Sequence, residues 1–304
     1  MKGEINSGNG FTLAAALNQN LAWYKDGDYQ LCLDKLREEI EANPEHNILY
    51  SSEHLFNFQP QQLAKFVADA DRLGLEVSVI FWVREVIDHA ISAYSQLLKR
   101  HRYTETFSFY LSKNHKFEWN KVWRDLTAIL PADRISTANY GYNIDRVLPR
   151  FCQQLGVPAP TDLDIPQTVN RSLTIHEIEV MRYLNQHGHQ SFNTTMFNDL
   201  MLARVPTGPK RDFVTAEEYA LASSLFGDKI AQFNSLVERN ILVLKSDRIR
   251  VGEGPVITLT DMEKTLLGLI ADQMIVAQQL TNMMQQRIKR FNTAFAAPNS
   301  PNDT

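Results

Sequence analysis

The 304-residue sequence contains only two cysteines, Cys32 and Cys152. Two thiols without CxxC spacing make neither a disulfide scaffold nor a cysteine metal site. Both stand in apolar helical patterns and read as buried free thiols, which a reducing cytoplasm suits. Histidine is sparse as well: there are eight, none in a metal-ligand pattern such as HExxH, and no metal site is expected. A basic surplus is missing, since 31 Lys and Arg against 35 Asp and Glu give a net charge of −4. Domains that coat nucleic acid carry a positive excess, so no nucleic-acid partner is expected. Long apolar runs are missing too. The longest in the front half, from Val77 to Val83, is far too short to span a bilayer. The polar, glycine-rich start from Met1 to Gly10 lacks the basic-then-apolar pattern of a secretory signal. The expectation is a soluble cytoplasmic protein with no membrane partner.

What is present in the first half is an alternation of helix and strand signals. Leu33, Leu36 and Ile40 recur at helical spacing between Tyr29 and Asn43, and Pro44 ends that helix. A second helix is expected from Pro60 to Leu73, with proline in its first turn and Gly74 as its stop. The run Val77–Val83 is near-continuously apolar, β-branched and aromatic, as strands buried on both faces of a parallel sheet are. A helix from Asp88 to Arg100, a strand from Arg134 to Asn139 and a helix from Ile144 to Leu155 complete the pattern. Such alternation predicts an α/β fold with a parallel sheet and helices on both sides.

The second half differs. After a proline-rich turn region, three helices are announced by capping boxes at Thr174 and Glu177, Thr215 and Glu218, and Thr260 and Glu263. Between the last two, Ile241–Lys245 and Arg248–Val251 flank Ser246-Asp247, which predicts a hairpin. The last helix is expected from Asp261 to about Phe291, packed either internally or against a second copy of the chain. The domain reading is an α/β nucleotide-binding region over 1–172, a mostly helical region over 173–291, and a disordered tail over 292–304.

Chemistry concentrates where the apolar strand meets the next helix, Val83-Arg84-Glu85-Val86-Ile87-Asp88-His89-Ala90-Ile91-Ser92. Ligands of open α/β folds bind beyond the carboxyl ends of the strands, which puts Arg84 at the lip of such a site. Six helical residues rise only ~9 Å, so the Ser92 hydroxyl can face the same anion as a reaching guanidinium. Arginine supplies a planar donor fork for phosphate and serine a neutral donor. A second assignment stays open: Arg84 pairs with Glu85 or Asp88, and Ser92 faces core or solvent. Ser51-Ser52-Glu53-His54 offers two candidate bases, Glu53 and His54, or a solvated turn. The basic run Lys99-Arg100-His101-Arg102 either caps a helix C-terminus or meets an acidic acceptor.

The Arg84–Ser92 segment resembles the 3′-phosphate-binding motif of sulfotransferases: apolar strand, Arg, seven residues, Ser, then a nearby Tyr. The likeness extends from about Asn47 to Ser172. It implies a three-layer αβα fold of the P-loop nucleotide type and 3′-phosphoadenosine 5′-phosphosulfate (PAPS) as the donor. A hydroxyl of a carbohydrate or small metabolite would be the acceptor. By that likeness Arg84 and Ser92 contact the 3′-phosphate, and Glu53, with His54 as competitor, takes the acceptor's proton. Asn170 and Arg171, in a turn resembling one in bacterial members, would close over the nucleotide. One departure stands out. The family grips the 5′-phosphosulfate with a loop after its first strand, and no apolar strand followed by a basic Gly/Ser/Thr loop precedes Ser51. The chain is therefore expected to be N-terminally truncated, to take that loop from elsewhere, or to be a non-catalytic module that binds adenosine 3′,5′-bisphosphate or a partner.

Overall fold

The structure, a computed structural model, describes residues 9–18, 29–140, 147–160, 172–188, 193–204, 213–249 and 259–295. The chain is α/β and mostly helical, and its described strands form one parallel pair. It divides into two compact units built from interleaved segments. The first comprises Met1–Arg84, Phe117–Ala159 and Lys229–Leu242; the second comprises Glu85–Lys116, Pro160–Asp228 and Val243–Thr304.

In the first unit, β1 (Val79–Val83) pairs in parallel with β2 (Ile135–Asn139), in register from Val79 with Ile135 to Val83 with Asn139. Alternation sends Phe81 and Val83 of β1 and Ile135, Thr137 and Asn139 of β2 into the interior. Helices α1 (Phe11–Asn18), α2 (Tyr29–Ala42), α3 (Pro60–Arg72), α6 (Trp119–Thr127) and α7 (Val147–Gln154) belong to this unit. Phe81 stacks on Phe56 at 6.2 Å and meets the edge of Phe233 at 6.3 Å. Phe233 lies on the last turns of α10 (Ala216–Leu236), and Trp123 of α6 meets it edge-on from another side. Asn139 donates to the Ile241 carbonyl at 2.6 Å, while Asn234 accepts from the Leu242 N–H at 2.9 Å and donates to its carbonyl at 2.7 Å. Two side-chain amides thus satisfy a backbone segment that joins no strand.

The second unit is built on α4 (Val86–Arg100), with α8 (Ile175–His187) and α9 (Thr194–Leu202) against it and α11 (Asp261–Phe295) against α8. Tyr94, fully buried, donates its hydroxyl to the Glu105 carbonyl at 2.9 Å. Around it gather Tyr103, Phe107 of the short helix α5 (Phe107–Phe109) and Tyr110 of the π-helical turn Tyr110–Asn114. Asn185 of α8 donates to the Leu98 and Tyr103 carbonyls, each at 2.9 Å, and so closes the C-terminus of α4.

All three expected capping boxes form, with reciprocal bonds of 2.7–3.3 Å at Thr174/Glu177, Thr215/Glu218 and Thr260/Glu263. The expected hairpin does not form among the described residues. Ile241–Lys245 joins no strand, Ser246–Arg248 is a 3₁₀ turn, and Ile249 makes a single parallel bridge to Val214. Helix α11 runs on to Phe295, four residues further than its apolar pattern suggests.

The chain before α1 is clamped to a distant segment. Gly10 N–H donates to the Ser51 carbonyl at 3.0 Å, Asn9 Oδ1 accepts from the Ser51 N–H at 2.8 Å, and Asn9 Nδ2 donates to the Leu49 carbonyl at 2.7 Å. A Cβ on Gly10 would meet the Ser51 backbone N at 3.0 Å and its carbonyl carbon at 3.1 Å. Backbone atoms cannot rotate away from such a contact. Gly10→Ala is therefore expected to lower stability by about 1–3 kcal/mol in a urea melt; an unchanged midpoint would contradict the clamp.

Candidate functional site

The carboxyl ends of β1 and β2 hold the groups of chemical interest in the first unit. Arg84 follows the last residue of β1 and is half-buried. It forms no ion pair among the described residues. The next position on the neighbouring strand is Tyr140, an exposed ring whose edge meets Trp82 at 6.4 Å. Trp82 and Arg84 are two residues apart, so an extended chain turns both to the same face. The buried Trp82 indole N–H has no hydrogen-bond partner among the described residues. Tyr140 was not among the residues singled out from sequence; its signal is its place directly after β2. Two clefts of the first unit lie elsewhere. One, of about 320 Å³, includes Val77 and Arg134 just before the two strands, and so lies at their opposite ends.

Glu53 and His54 are brought together on the 3₁₀ turn Glu53–Asn57, with His54 Nε2 3.9 Å from Glu53 Oε1. Ser52 caps this turn by accepting from the His54 N–H at 3.2 Å. The Glu53 side chain is 80% exposed, whereas His54 is mostly covered and meets the edge of Phe11. Phe56 of the same turn stacks on Phe81, which ties the turn to β1. The residues leading in, Asn47–Tyr50, form no strand.

In the second unit, Glu85 is only 1% exposed and caps α4, its Oε2 accepting from the Asp88 N–H at 2.7 Å. Its acidity is perturbed: burial pushes the carboxyl above the ordinary glutamate range, with the backbone N–H groups of Asp88, Ile87 and Lys245 pulling the other way. Ser92 is half-buried on α4 and makes no hydrogen bond with its hydroxyl among the described residues. Ser95, three residues on, instead returns its hydroxyl to the Ile91 carbonyl at 2.8 Å. The unit boundary falls between Arg84 and Glu85, so Arg84 belongs to the first unit and Ser92 to the second. Asn170 and Arg171 lie outside the described residues.

The basic run at the end of α4 is largely occupied by structure. Arg100 pairs with Asp199 at 3.2 Å, Arg102 donates to the Gly188 carbonyl at 2.9 Å, and Lys99 is buried. Arg102 adopts a left-handed φ of 52°, which ends the helix. Among the described residues no group of three or more His, Cys, Asp or Glu could hold a metal, and no helix is long and apolar enough to cross a membrane. No family model, curated protein or solved structure matches the chain.

The perturbed carboxyl of Glu85 has a consequence for stability. A group whose folded pKa is raised contributes stability at low pH and loses it as pH rises from the unfolded value through the folded one. Relative to Glu85→Gln, the wild type should be favoured most at acidic pH and lose ground as the pH climbs through and above the ordinary glutamate range. Urea melts of both proteins at a series of pH values check this; a constant difference would contradict it.

Proposed function

We propose that the chain is a sulfotransferase-like protein that binds PAPS and passes its sulfuryl group to a hydroxyl of a carbohydrate or small metabolite. The observation that supports this reading best is Arg84. It stands at the carboxyl end of a parallel strand without an ion pair among the described residues, and its acidic neighbour Glu85 is spent on capping α4. A half-buried guanidinium in that position suits an anionic ligand. In this reading Arg84 and Ser92 hold the 3′-phosphate, Asn170 and Arg171 close over the nucleotide, and the exposed Tyr140 ring offers the adenine a stacking face. The finer architecture proposed with it is the three-layer αβα, P-loop nucleotide type, of which the parallel pair β1–β2 would be part.

The chemistry is an in-line displacement at sulfur. The acceptor oxygen forms a bond to sulfur as the bond from sulfur to the 5′-phosphate oxygen breaks, releasing adenosine 3′,5′-bisphosphate. The acceptor's proton goes to the Glu53 carboxylate, whose exposure leaves it open to an acceptor, with His54 beside it as the competing base. Cationic groups at the nucleotide offset the charge gathering on the leaving phosphate.

A second reading rests on the clamp at Gly10. The family's 5′-phosphosulfate loop works as a nest of free N–H groups, whereas the Gly10 N–H here donates to the Ser51 carbonyl and Asn9 grips the same segment. That favours a non-catalytic module that holds adenosine 3′,5′-bisphosphate without turning over PAPS.

Transfer of labelled sulfate from PAPS to a panel of sugars and small alcohols separates the two. The enzyme reading expects turnover that falls about 100-fold or more in Glu53→Gln, with nucleotide affinity unchanged. Nucleotide binding without transfer to any acceptor would select the module instead.

A further inference from the structure

Helix α11 carries two apolar faces, and among the described residues its own unit covers only one of them. Leu267, Ala271, Met274 and Ile275 pack with Leu184 of α8. At 100° per residue these four fall within an arc of about 100°. A second set, Leu269, Val276, Leu280, Met283, Met284 and Ile288, lies in an arc of about 140° on the opposite side. Each of these six is roughly half exposed or more, from 49% at Val276 to 64% at Met284. Leu269, Val276 and Met283 recur every seven residues, with Leu280 between the last two, which is the repeat of a coiled-coil seam.

We infer that this second face is the contact between two copies of the chain, joined through α11 in an antiparallel pair. Charge along the helix sets the direction. Asp261, Glu263 and Asp272 outnumber the one cation, Lys264, in its first half, while Arg287, Lys289 and Arg290 cluster near its end. A parallel pair would crowd the two basic ends together, whereas an antiparallel pair sets each basic end beside an acidic half. The register follows from the same residues. Asp272 and Arg290 stand nine residues to either side of Thr281, and both are exposed. Eighteen residues make about five turns, so the two occupy the same edge of the seam. Like edges face each other in an antiparallel pair, which brings Asp272 of one copy against Arg290 of the other, twice per dimer.

Sedimentation of the full chain tests this across the micromolar range. The expected species has twice the 34.8 kDa chain mass, and Leu280→Asp with Met283→Asp gives a monomer of unchanged far-UV circular dichroism. Charge exchange then tests direction. Asp272→Arg alone and Arg290→Asp alone should each weaken dimerisation about tenfold, while the two together restore it. A monomeric wild type would overturn the inference. A dimer that survives Leu280→Asp with Met283→Asp would do the same, as would a dimer whose charge-exchanged form stays as weak as the single variants.

Discussion

A parallel pair of two strands presents faces and edges that it cannot satisfy by itself, and the first unit is organised around that constraint. The interior face is covered by aromatic rings: Phe56, Phe233 and Trp123 converge on or around Phe81, so that a 3₁₀ turn, the end of α10 and α6 share one cluster. Beside β2, side-chain amides take the place of another strand, with Asn139 and Asn234 holding Ile241 and Leu242. Asn120 performs the same service for α10, donating to the Lys229 carbonyl and to Gln232. Such bonds replace lost water contacts for groups that would otherwise be costly to bury. With its interior face secured, the pair ends in Arg84 and Tyr140, and Phe56 of the turn that carries Glu53 and His54 packs on the middle of β1.

In the second unit the corresponding burden falls on the two ends of α4. Its N-terminus is closed by a buried carboxylate, and its C-terminus by Asn185 and by a left-handed Arg102 bonded to Gly188. A buried acid at a helix start is held by the N–H groups it caps and opposed by its own desolvation. Of the cations that end the helix, Arg100 pairs with Asp199 and Arg102 donates to the Gly188 carbonyl.

What was legible in the sequence were the features whose causes are local. Apolar periodicity marked α2, α3, β1, α4 and β2 to within a few residues, and the capping boxes marked α8, α10 and α11, because three-residue spacing suffices to specify them. Helix α1 was missed for a physical reason. Its anchor is Ser51, forty-one residues away from Gly10, and no local pattern records that contact. The hairpin expected at Ser246-Asp247 had the right turn residues, but Ile241 and Leu242 are held by the side-chain amides of Asn139, about a hundred residues away, and of Asn234 at the end of α10. The π-helical turn at Tyr110 likewise depends on packing around Tyr94. At the site, the position of Arg84 after a strand was legible, since an apolar run ending in arginine is a local signal. The capping role of Glu85 and the Trp82–Tyr140 pair arise only from folding, and the ligand itself is a matter of chemistry that neither periodicity nor register encodes.

The central claim is that a half-buried arginine at the end of β1 is there to meet a 3′-phosphate. Calorimetric titration of the wild type and of Arg84→Ala with adenosine 3′,5′-bisphosphate, and with adenosine 5′-monophosphate as control, tests it most directly. The account predicts binding of the bisphosphate that is about tenfold or more weaker in Arg84→Ala, with little binding of the monophosphate to either protein. A folded wild type that binds no bisphosphate, or that binds it equally well without the Arg84 guanidinium, would contradict the account.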